Sequence, residues 1–290
     1  MRSPRLLPAL FSAVLVLHVS PASAEIAVKS GEKIAFLGDS ITAGGWSNPV
    51  GYVRLVIAGL AANGINVEPI PAGISGHKSN QMLERLERDV LAKKPQWMTL
   101  SCGVNDVWHG KNGVPLDDDQ AAAGTYEKRG TEPDKGTYQK NITAIIDRAQ
   151  AAGVQPVILT ATVIKEDLDN AENQKLAAYN AFLRDLAREK KVRLADLNAA
   201  FQERIKAANT PGKNVLTGDG VHLNAEGNQV FARGILTALG CNAEQLAKAE
   251  AAWAPLKVKA EEAAKATAEK KAAAAAKKAA EAPQPAPAAK

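Results

Sequence analysis

Residues 33–45, with the sequence KIAFLGDSITAGG, decide the fold class. Lys33 to Leu37 form a near-continuous apolar run, which is typical of a strand buried on both faces of a parallel sheet. The run ends at Gly38, and Gly38-Asp39-Ser40 has the composition of a turn or a helix N-cap. The stretch therefore predicts a first parallel strand with a polar turn at its carboxyl end.

The rest of residues 25–242 repeats this alternation of strand and helix. Further apolar strand patterns lie at 66–70, 97–102, 156–161 and 192–197. Helical patterns lie at 52–62, 79–93, 138–151, 172–190 and 225–239. Five strands separated by helices predict an α/β fold, an open five-stranded parallel sheet with helices on both faces. Ligands bind beyond the carboxyl ends of such strands, so we expect the chemistry in the loops that follow them.

The charge of the chain is concentrated at its two ends. The 290 residues carry 36 Lys and Arg against 31 Asp and Glu, a formal net charge of +5. Residues 1–24 hold Arg2 and Arg5, and residues 243–290 hold nine Lys and six Glu, so residues 25–242 are neutral. A neutral body offers no basic groove, and we therefore expect no nucleic-acid partner.

Both ends are interpreted as segments outside the folded body. Residues 1–24 combine a basic start, a short apolar run and a final Ala-Ser-Ala, the pattern of a secretory signal peptide cut after Ala24. The run is shorter than the ~20 residues needed to span a bilayer, so we expect an exported protein, periplasmic or secreted, without stable membrane insertion. Residues 243–290 predict a solvated, partly helical tail broken at Pro255, whose Lys residues suit contact with anionic envelope polymers.

Cys102 and Cys241 are the two cysteines of the chain. Two cysteines exclude a disulfide-dense scaffold and a four-Cys metal site. A bridge between them stays open, although Cys102 lies at the end of a predicted buried strand, where a free Cys behaves as a small hydrophobe. The ligand spacings of a metal site are absent as well, so we expect no metal.

Two of the loops carry side chains suited to nucleophilic attack. Ser40, in the turn after the first strand, has the position of a nucleophile, although its triplet is also common in ordinary turns. Asp219 and His222 stand three residues apart in a Gly-bearing loop near the end of the body. A carboxylate that accepts from one imidazole nitrogen leaves the other nitrogen to take a proton from a serine.

Two further loops carry hydrogen-bond donors. The loop after the second strand holds Gly73 and Gly76, whose small size lets backbone N–H groups approach a ligand. The loop after the third strand holds Asn105, whose side-chain amide can donate to an oxyanion. Each motif alone also fits turn chemistry. All four loops meet at one edge of a parallel sheet, however, and the combination favours nucleophilic catalysis.

These four blocks resemble those of the SGNH hydrolases, also called GDSL-type esterases. The blocks are FLGDSITAGG at 36–45, AGISGHKSNQ at 72–81, CGVND at 102–106 and DGVHLNAEGN at 219–228. They follow the order and rough spacing of that family, and the resemblance covers about residues 33–239. It implies a flavodoxin-like three-layer sandwich and a serine esterase that needs no cofactor.

The resemblance also assigns a role to each candidate residue. It implies that Ser40 is the nucleophile, His222 the general base and Asp219 the acid that orients the base. It implies an oxyanion hole formed by the backbone N–H groups of Ser40 and Gly76 and by the side-chain amide of Asn105.

For an exported esterase of this kind, we expect short-chain esters on carbohydrates as substrates, with acetyl esters the simplest case. Trp46 and Trp108 lie near the blocks and are candidates for the rim of the substrate site, where they would stack on a sugar or line an acyl pocket. Simple packing of both rings stays open. An acyltransferase on an envelope polysaccharide, a lysophospholipase or thioesterase, and a non-catalytic glycan-binding module stay open as alternative functions.

Overall fold

The computed structural model describes residues 25–124, 126 and 136–280. Its five strands are β1 (Lys33–Gly38), β2 (Glu68–Gly73), β3 (Trp97–Ser101), β4 (Gln155–Leu159) and β5 (Arg193–Ala195). They pair in parallel in the order β2-β1-β3-β4-β5. This confirms the predicted five-stranded parallel sheet.

Helices cover both faces of the sheet, which confirms the predicted three-layer α/β sandwich. They are α1 (Ser40–Ser47), α2 (Tyr52–Ala62), α3 (Ser79–Asp89), α4 (Val104–Trp108), α5 (Asp118–Ala122), α6 (Tyr138–Ala151), α7 (Ala171–Glu189), α8 (Leu197–Ala208), α9 (Ala225–Ala238) and α10 (Ala243–Ala280). One layer contains α3, α6 and α7, and the other contains α2, α8 and α9, with α10 packed against α2.

The central strands are buried and the edge strands are not. β1 and β3 are buried at nearly every position, and β4 is exposed only at its first residue. β2 and β5 each expose residues, Glu68 and Arg193 among them. The expectation of burial on both faces, drawn from the apolar runs, is therefore wrong for the two edge strands, each of which has a neighbouring strand on one side only.

Strand order places a crevice where the sequence predicted the chemistry. β1 pairs with β2 on one side and with β3 on the other, so the chain reverses the direction in which it adds strands at β1. Ligands of open α/β sheets bind at this switch point, beyond the carboxyl ends of the strands. Ser40 follows β1 and Asn105 follows β3, so both lie at the crevice.

Three helices that the apolar patterns did not predict, α1, α5 and α8, begin at buried or half-buried Asp caps. Asp39 Oδ1 accepts from Ile41 N at 2.9 Å and starts α1 directly after β1. A Cβ atom on Gly38 would lie 2.0 Å from Thr42 Oγ1, so only glycine permits so abrupt a start. Asp196 caps α8 in the same way, which is why β5 ends before the predicted residue 197.

The C-terminal segment differs from its prediction. Leu246, Ala249 and Trp253 are buried, and Trp253 Nε1 donates to Leu55 O at 2.8 Å, so the start of α10 packs on α2 as part of the core. The helix also continues through Pro255. Strong helix formers flank that proline and Trp253 anchors the preceding turn, which offsets the cost of the missing N–H. Contact of the Lys-rich segment with anionic polymers stays a prediction.

Three other predictions concern the signal peptide, membrane insertion and the two cysteines. The signal peptide, residues 1–24, lies outside the described residues. Within the described part of the chain, no helix is both long enough and apolar enough to cross a bilayer. Cys102 and Cys241 are buried free thiols, so the bridge that the sequence left open is absent.

Replacing Trp253 by Ala should lower the free energy of unfolding by about 3–5 kcal/mol, because it empties a buried aromatic site and removes the hydrogen bond to Leu55 O. Urea unfolding followed by circular dichroism measures the change. Val258→Ala is the matched control on the same helix, since Val258 is 54% exposed and its loss should matter by less than about 0.5 kcal/mol. Equal stability of the two variants would show that the start of α10 is not part of the core.

Candidate active site

Three side chains from two distant parts of the sequence are linked by hydrogen bonds. His222 Nε2 lies 2.9 Å from Ser40 Oγ, and His222 Nδ1 lies 2.6 Å from Asp219 Oδ2. Because the carboxylate accepts, the Nδ1 atom carries the proton, and Nε2 is the acceptor for the Ser40 hydroxyl. The structure thus brings together the predicted nucleophile, base and orienting acid with the connectivity of a Ser-His-Asp triad.

The carboxylate of Asp219 is held ionised. Burial opposes its charge, but hydrogen bonds from the His222 ring and from the backbone N–H groups of His222 and Val221 outweigh that effect and lower the pKa of Asp219 to about 2. An ionised carboxylate at this position fixes the ring and stabilises a positive imidazolium.

The loop that carries Asp219 and His222 is anchored by a residue that sequence analysis missed. The Glu166 carboxylate accepts hydrogen bonds from the backbone N–H groups of Val215, Leu216 and Thr217 and from the Thr217 hydroxyl. Lys165 N donates to Gly220 O at 2.7 Å beside it. Glu166 lies some 50 positions away in the sequence and has no motif around it, so no local signal pointed to this contact.

Ser40 is the first residue of α1, so its backbone N–H group lies at the helix N-terminus. The first N–H groups of an α-helix have no carbonyl partner within the helix, and the positive end of the helix dipole lies among them. Asp39 Oδ1 takes the Ile41 N–H. The Ser40 N–H therefore has no acceptor inside α1 and is suited to an anionic oxygen at Ser40.

The two candidate glycines differ in what the fold requires of them. A Cβ atom on Gly73 would lie 2.3 Å from Ala43 N, so Gly73 is small because β2 packs tightly against α1. Gly76 has φ of +77° and open space around its Cβ position, so its smallness serves a left-handed turn beside the crevice. The geometry favours Gly76 as the residue that presents a backbone N–H.

Asn105 is 4% exposed and its amide is fixed on both sides. Its Nδ2 donates to His77 O at 3.2 Å, and its Oδ1 lies 3.2 Å from His109 Nε2. A carbonyl oxygen can only accept, so the atom that faces His77 O must be the nitrogen, and His109 Nε2 must then carry a proton. One N–H of Nδ2 is left for a further acceptor. The contact between His109 and Asn105 had no sequence signal.

Two buried acids stand beside the candidate residues. Burial raises the pKa of Asp39 to about 7, against the lowering effect of the Ile41 N–H bond. Burial also raises the pKa of Asp106, whose Oδ1 accepts from Ser79 N at 3.0 Å and whose Oδ2 accepts from Cys102 Sγ at 3.4 Å. Asp106 therefore ties α4 to the N-terminus of α3, a structural role next to Asn105.

The two candidate rim tryptophans have different surroundings. The Arg54 guanidinium lies 3.4 Å above the ring of Trp46 and its Nε donates to Trp46 O, so one face of that ring is already covered. Trp108 is 41% exposed and comes three residues after Asn105 on α4. Of the two rings, Trp108 is the one open to a ligand.

Among the residues that the structure describes, no group of three or more His, Cys, Asp or Glu side chains is arranged to hold a metal ion. The chemistry that the arrangement supports uses the side chains themselves. A serine activated by an oriented imidazole, next to a helix N-terminus and a fixed amide, is equipped to attack a carbonyl carbon and to stabilise the oxyanion that forms.

Comparison with known proteins identifies relatives of the whole folded body. The sequence profile of the GDSL-like Lipase/Acylhydrolase family matches residues 36–230. An acetylxylan esterase from Geobacillus stearothermophilus is 26% identical over 225 residues, which are 73% of this chain and 96% of that enzyme.

Solved structures give the same result. A variant of Axe2, the acetyl xylan esterase from Geobacillus stearothermophilus, has a TM-score of 0.60 at 26% identity and covers 74% of this chain and 97% of its own. The acetyl xylan esterase AlAXEase has a TM-score of 0.58 at 33% identity, with 71% and 98% covered. Catalytic mutants of Axe2 that are similar to this chain replace one Ser, one Asp or one His by Ala, and that Asp lies three positions before that His.

Proposed function

The chain belongs to the GDSL-like lipase/acylhydrolase family and is a carboxylic ester hydrolase. From that premise we propose that it removes short acyl groups, acetyl above all, from carbohydrates. The reaction proceeds through an acyl-enzyme on Ser40. The observation that carries the proposal is the continuous chain from Asp219 Oδ2 through both nitrogens of His222 to Ser40 Oγ.

In the first half of the reaction, Ser40 Oγ attacks the ester carbonyl carbon while His222 Nε2 takes the hydroxyl proton. The ionised Asp219 stabilises the imidazolium that results. The carbonyl oxygen becomes an oxyanion, for which the Ser40 N–H, the Gly76 N–H and the second N–H of Asn105 Nδ2 are the donors. Collapse of this intermediate breaks the bond to the sugar oxygen, which leaves with the proton from His222.

In the second half, a water molecule replaces the sugar. His222 Nε2 takes a proton from the water as its oxygen attacks the acyl carbon of the Ser40 ester. A second oxyanion forms in the same hole, and its collapse returns the proton to Ser40 Oγ and releases the carboxylic acid. No further oxidant, reductant or cofactor enters the balance.

The substrate part of the proposal rests on two supports. The similar proteins described above are acetylxylan esterases, which act on an acetylated carbohydrate. Trp108 offers an exposed indole near Asn105, and an indole face packs well against the C–H groups of a sugar ring.

We also propose that the protein is exported, on the sequence of residues 1–24. Cleavage after Ala24 would give a mature protein whose N-terminal residue is Glu25, which N-terminal sequencing detects. Retention of residues 1–24 would overturn the proposal.

Removal of the nucleophile or the base should abolish turnover. Ser40→Ala and His222→Ala should each lower kcat for p-nitrophenyl acetate by about 10⁴-fold or more, because the members of a triad act as one unit. Initial rates at saturating ester measure the effect. Ser47→Ala, an exposed serine at the other end of α1, is the matched control and should keep wild-type kcat. Wild-type turnover in a folded Ser40→Ala variant would overturn the proposal.

Removal of the Trp108 indole should affect sugar esters selectively. Trp108→Ala should lower kcat/KM for acetylated xylooligosaccharides about tenfold, since an aromatic contact is worth roughly 1 kcal/mol or slightly more. Ethyl acetate, whose alcohol has no ring to stack, should be hydrolysed as by the wild type. Trp108→Phe is the conservative control and should keep most of the sugar-ester activity. An equal loss on both esters, or no loss on either, would contradict a stacking role.

A further inference from the structure

Arg85 is a buried charged residue that contacts the carboxyl ends of β1 and β2. It lies on α3, is 3% exposed, and its guanidinium contacts four groups. Nη2 donates to Gly38 O at 2.8 Å, Nη1 donates to Ala72 O at 2.9 Å and to Asp89 Oδ2 at 3.1 Å, and Nε donates to His77 Nδ1 at 3.1 Å. A guanidinium is planar and presents its donors in a fixed fork, so these acceptors are held at fixed mutual positions.

The two carbonyl groups that Arg85 binds end the strands that lead into the site. Gly38 is the last residue of β1 and stands two positions before Ser40. Ala72 is near the end of β2 and stands four positions before Gly76. The Gly38 carbonyl also accepts from Ile74 N at 3.1 Å, so β1 and the loop after β2 are linked beyond the last strand pair. Arg85 therefore fixes the nucleophile segment relative to the Gly76 segment.

The hydrogen bond from Arg85 to His77 links these two segments to Asn105 as well. His77 directly follows Gly76, and its Nδ1 accepts from Arg85, which requires a neutral ring with the proton on Nε2. Burial, and then the charge of Arg85, lower the pKa of His77, in agreement with that protonation state. The His77 carbonyl accepts from Asn105 Nδ2. One guanidinium thus connects, directly or through one residue, the three segments whose donors would form the oxyanion hole.

We propose that Arg85 is a positioning residue for the oxyanion hole, holding the Ser40, Gly76 and Asn105 donors in convergence without touching the substrate. The inference rests on the proposed function, since it concerns the same site. Its physical basis is that oxyanion stabilisation depends on donors placed before the reaction, and a displaced donor loses most of its effect. Burial of a guanidinium is costly, and its pKa is lowered by that burial, so the helix gains little by keeping an Arg here for stability alone.

The test compares two arginines of one helix. Arg85→Met keeps the length and bulk of the side chain but has no donor. Arg88, three residues on, is exposed and also binds Asp89, so Arg88→Met is the matched control. We expect Arg85→Met to lower kcat for p-nitrophenyl acetate about 10²-fold with KM within about threefold, and Arg88→Met to leave both unchanged. All assays run well below the measured melting temperature of each variant.

A double-mutant cycle with Asn105→Ala separates positioning from general damage. If Arg85 acts through the hole, the double variant should be no slower than the slower single variant, because the second change removes donors that are already misplaced. Losses that multiply would indicate an independent effect and overturn the proposal. Should Arg85→Met fail to fold, Arg85→Lys serves in its place, since one ammonium cannot bind all three acceptors at the strand ends and a smaller loss in kcat is expected.

The outcomes also distinguish this inference from the proposed function. Wild-type kcat in folded Arg85→Met or Arg85→Lys, with turnover still abolished in Ser40→Ala, would overturn the role of Arg85 alone. Wild-type turnover in Ser40→Ala would overturn the proposed function instead, whatever the Arg85 variants do.

Discussion

The position of strand β1 constrains the rest of the molecule. Its backbone is hydrogen-bonded to β2 on one side and to β3 on the other, and its side chains are covered on both faces. Directly after this strand, Gly38 lets α1 begin at once with Asp39 as its cap. Ser40 is thereby placed at a helix N-terminus, in the crevice where the strand order reverses. The position of the proposed nucleophile is thus a consequence of sheet topology and of one glycine.

Around that serine the fold sets carboxylates in opposite environments. Asp219 lies in an outer loop, where hydrogen bonds from His222 and Val221 keep its pKa near 2. Asp39 and Asp106 lie in the interior, where burial raises their pKa values and their partners are backbone, hydroxyl or thiol donors. The exposed acid binds the His222 ring, and the buried acids hold helix starts. Residue type alone does not separate these roles; the surroundings of each carboxylate do.

The sequence was sufficient for the architecture and for choosing Ser40, Asp219 and His222 as candidates, because both depend on local signals. Apolar runs marked the five strands, and a His three residues after an Asp in a Gly-bearing loop marked the base. The contacts that support the site could not be predicted in this way. Glu166, Arg85 and His109 act through bonds to distant backbone or side-chain atoms, and helices α1 and α8 begin at Asp caps too close to a strand for a periodic pattern to develop. Trp253 lay in a Lys-rich segment whose composition concealed its burial.

Covalent labelling of Ser40 is the decisive measurement, because the proposed mechanism requires this one oxygen to become bonded to the substrate. The protein is incubated with a p-nitrophenyl phosphonate ester, whose tetrahedral product resembles the intermediate in the oxyanion hole, and its mass and peptides are analysed by mass spectrometry. The proposed mechanism requires one phosphonyl group per chain, on Ser40, and no label over the same period in the His222→Ala variant. A label on another residue, or an unlabelled protein that still hydrolyses acetyl esters in the presence of the phosphonate, would contradict it.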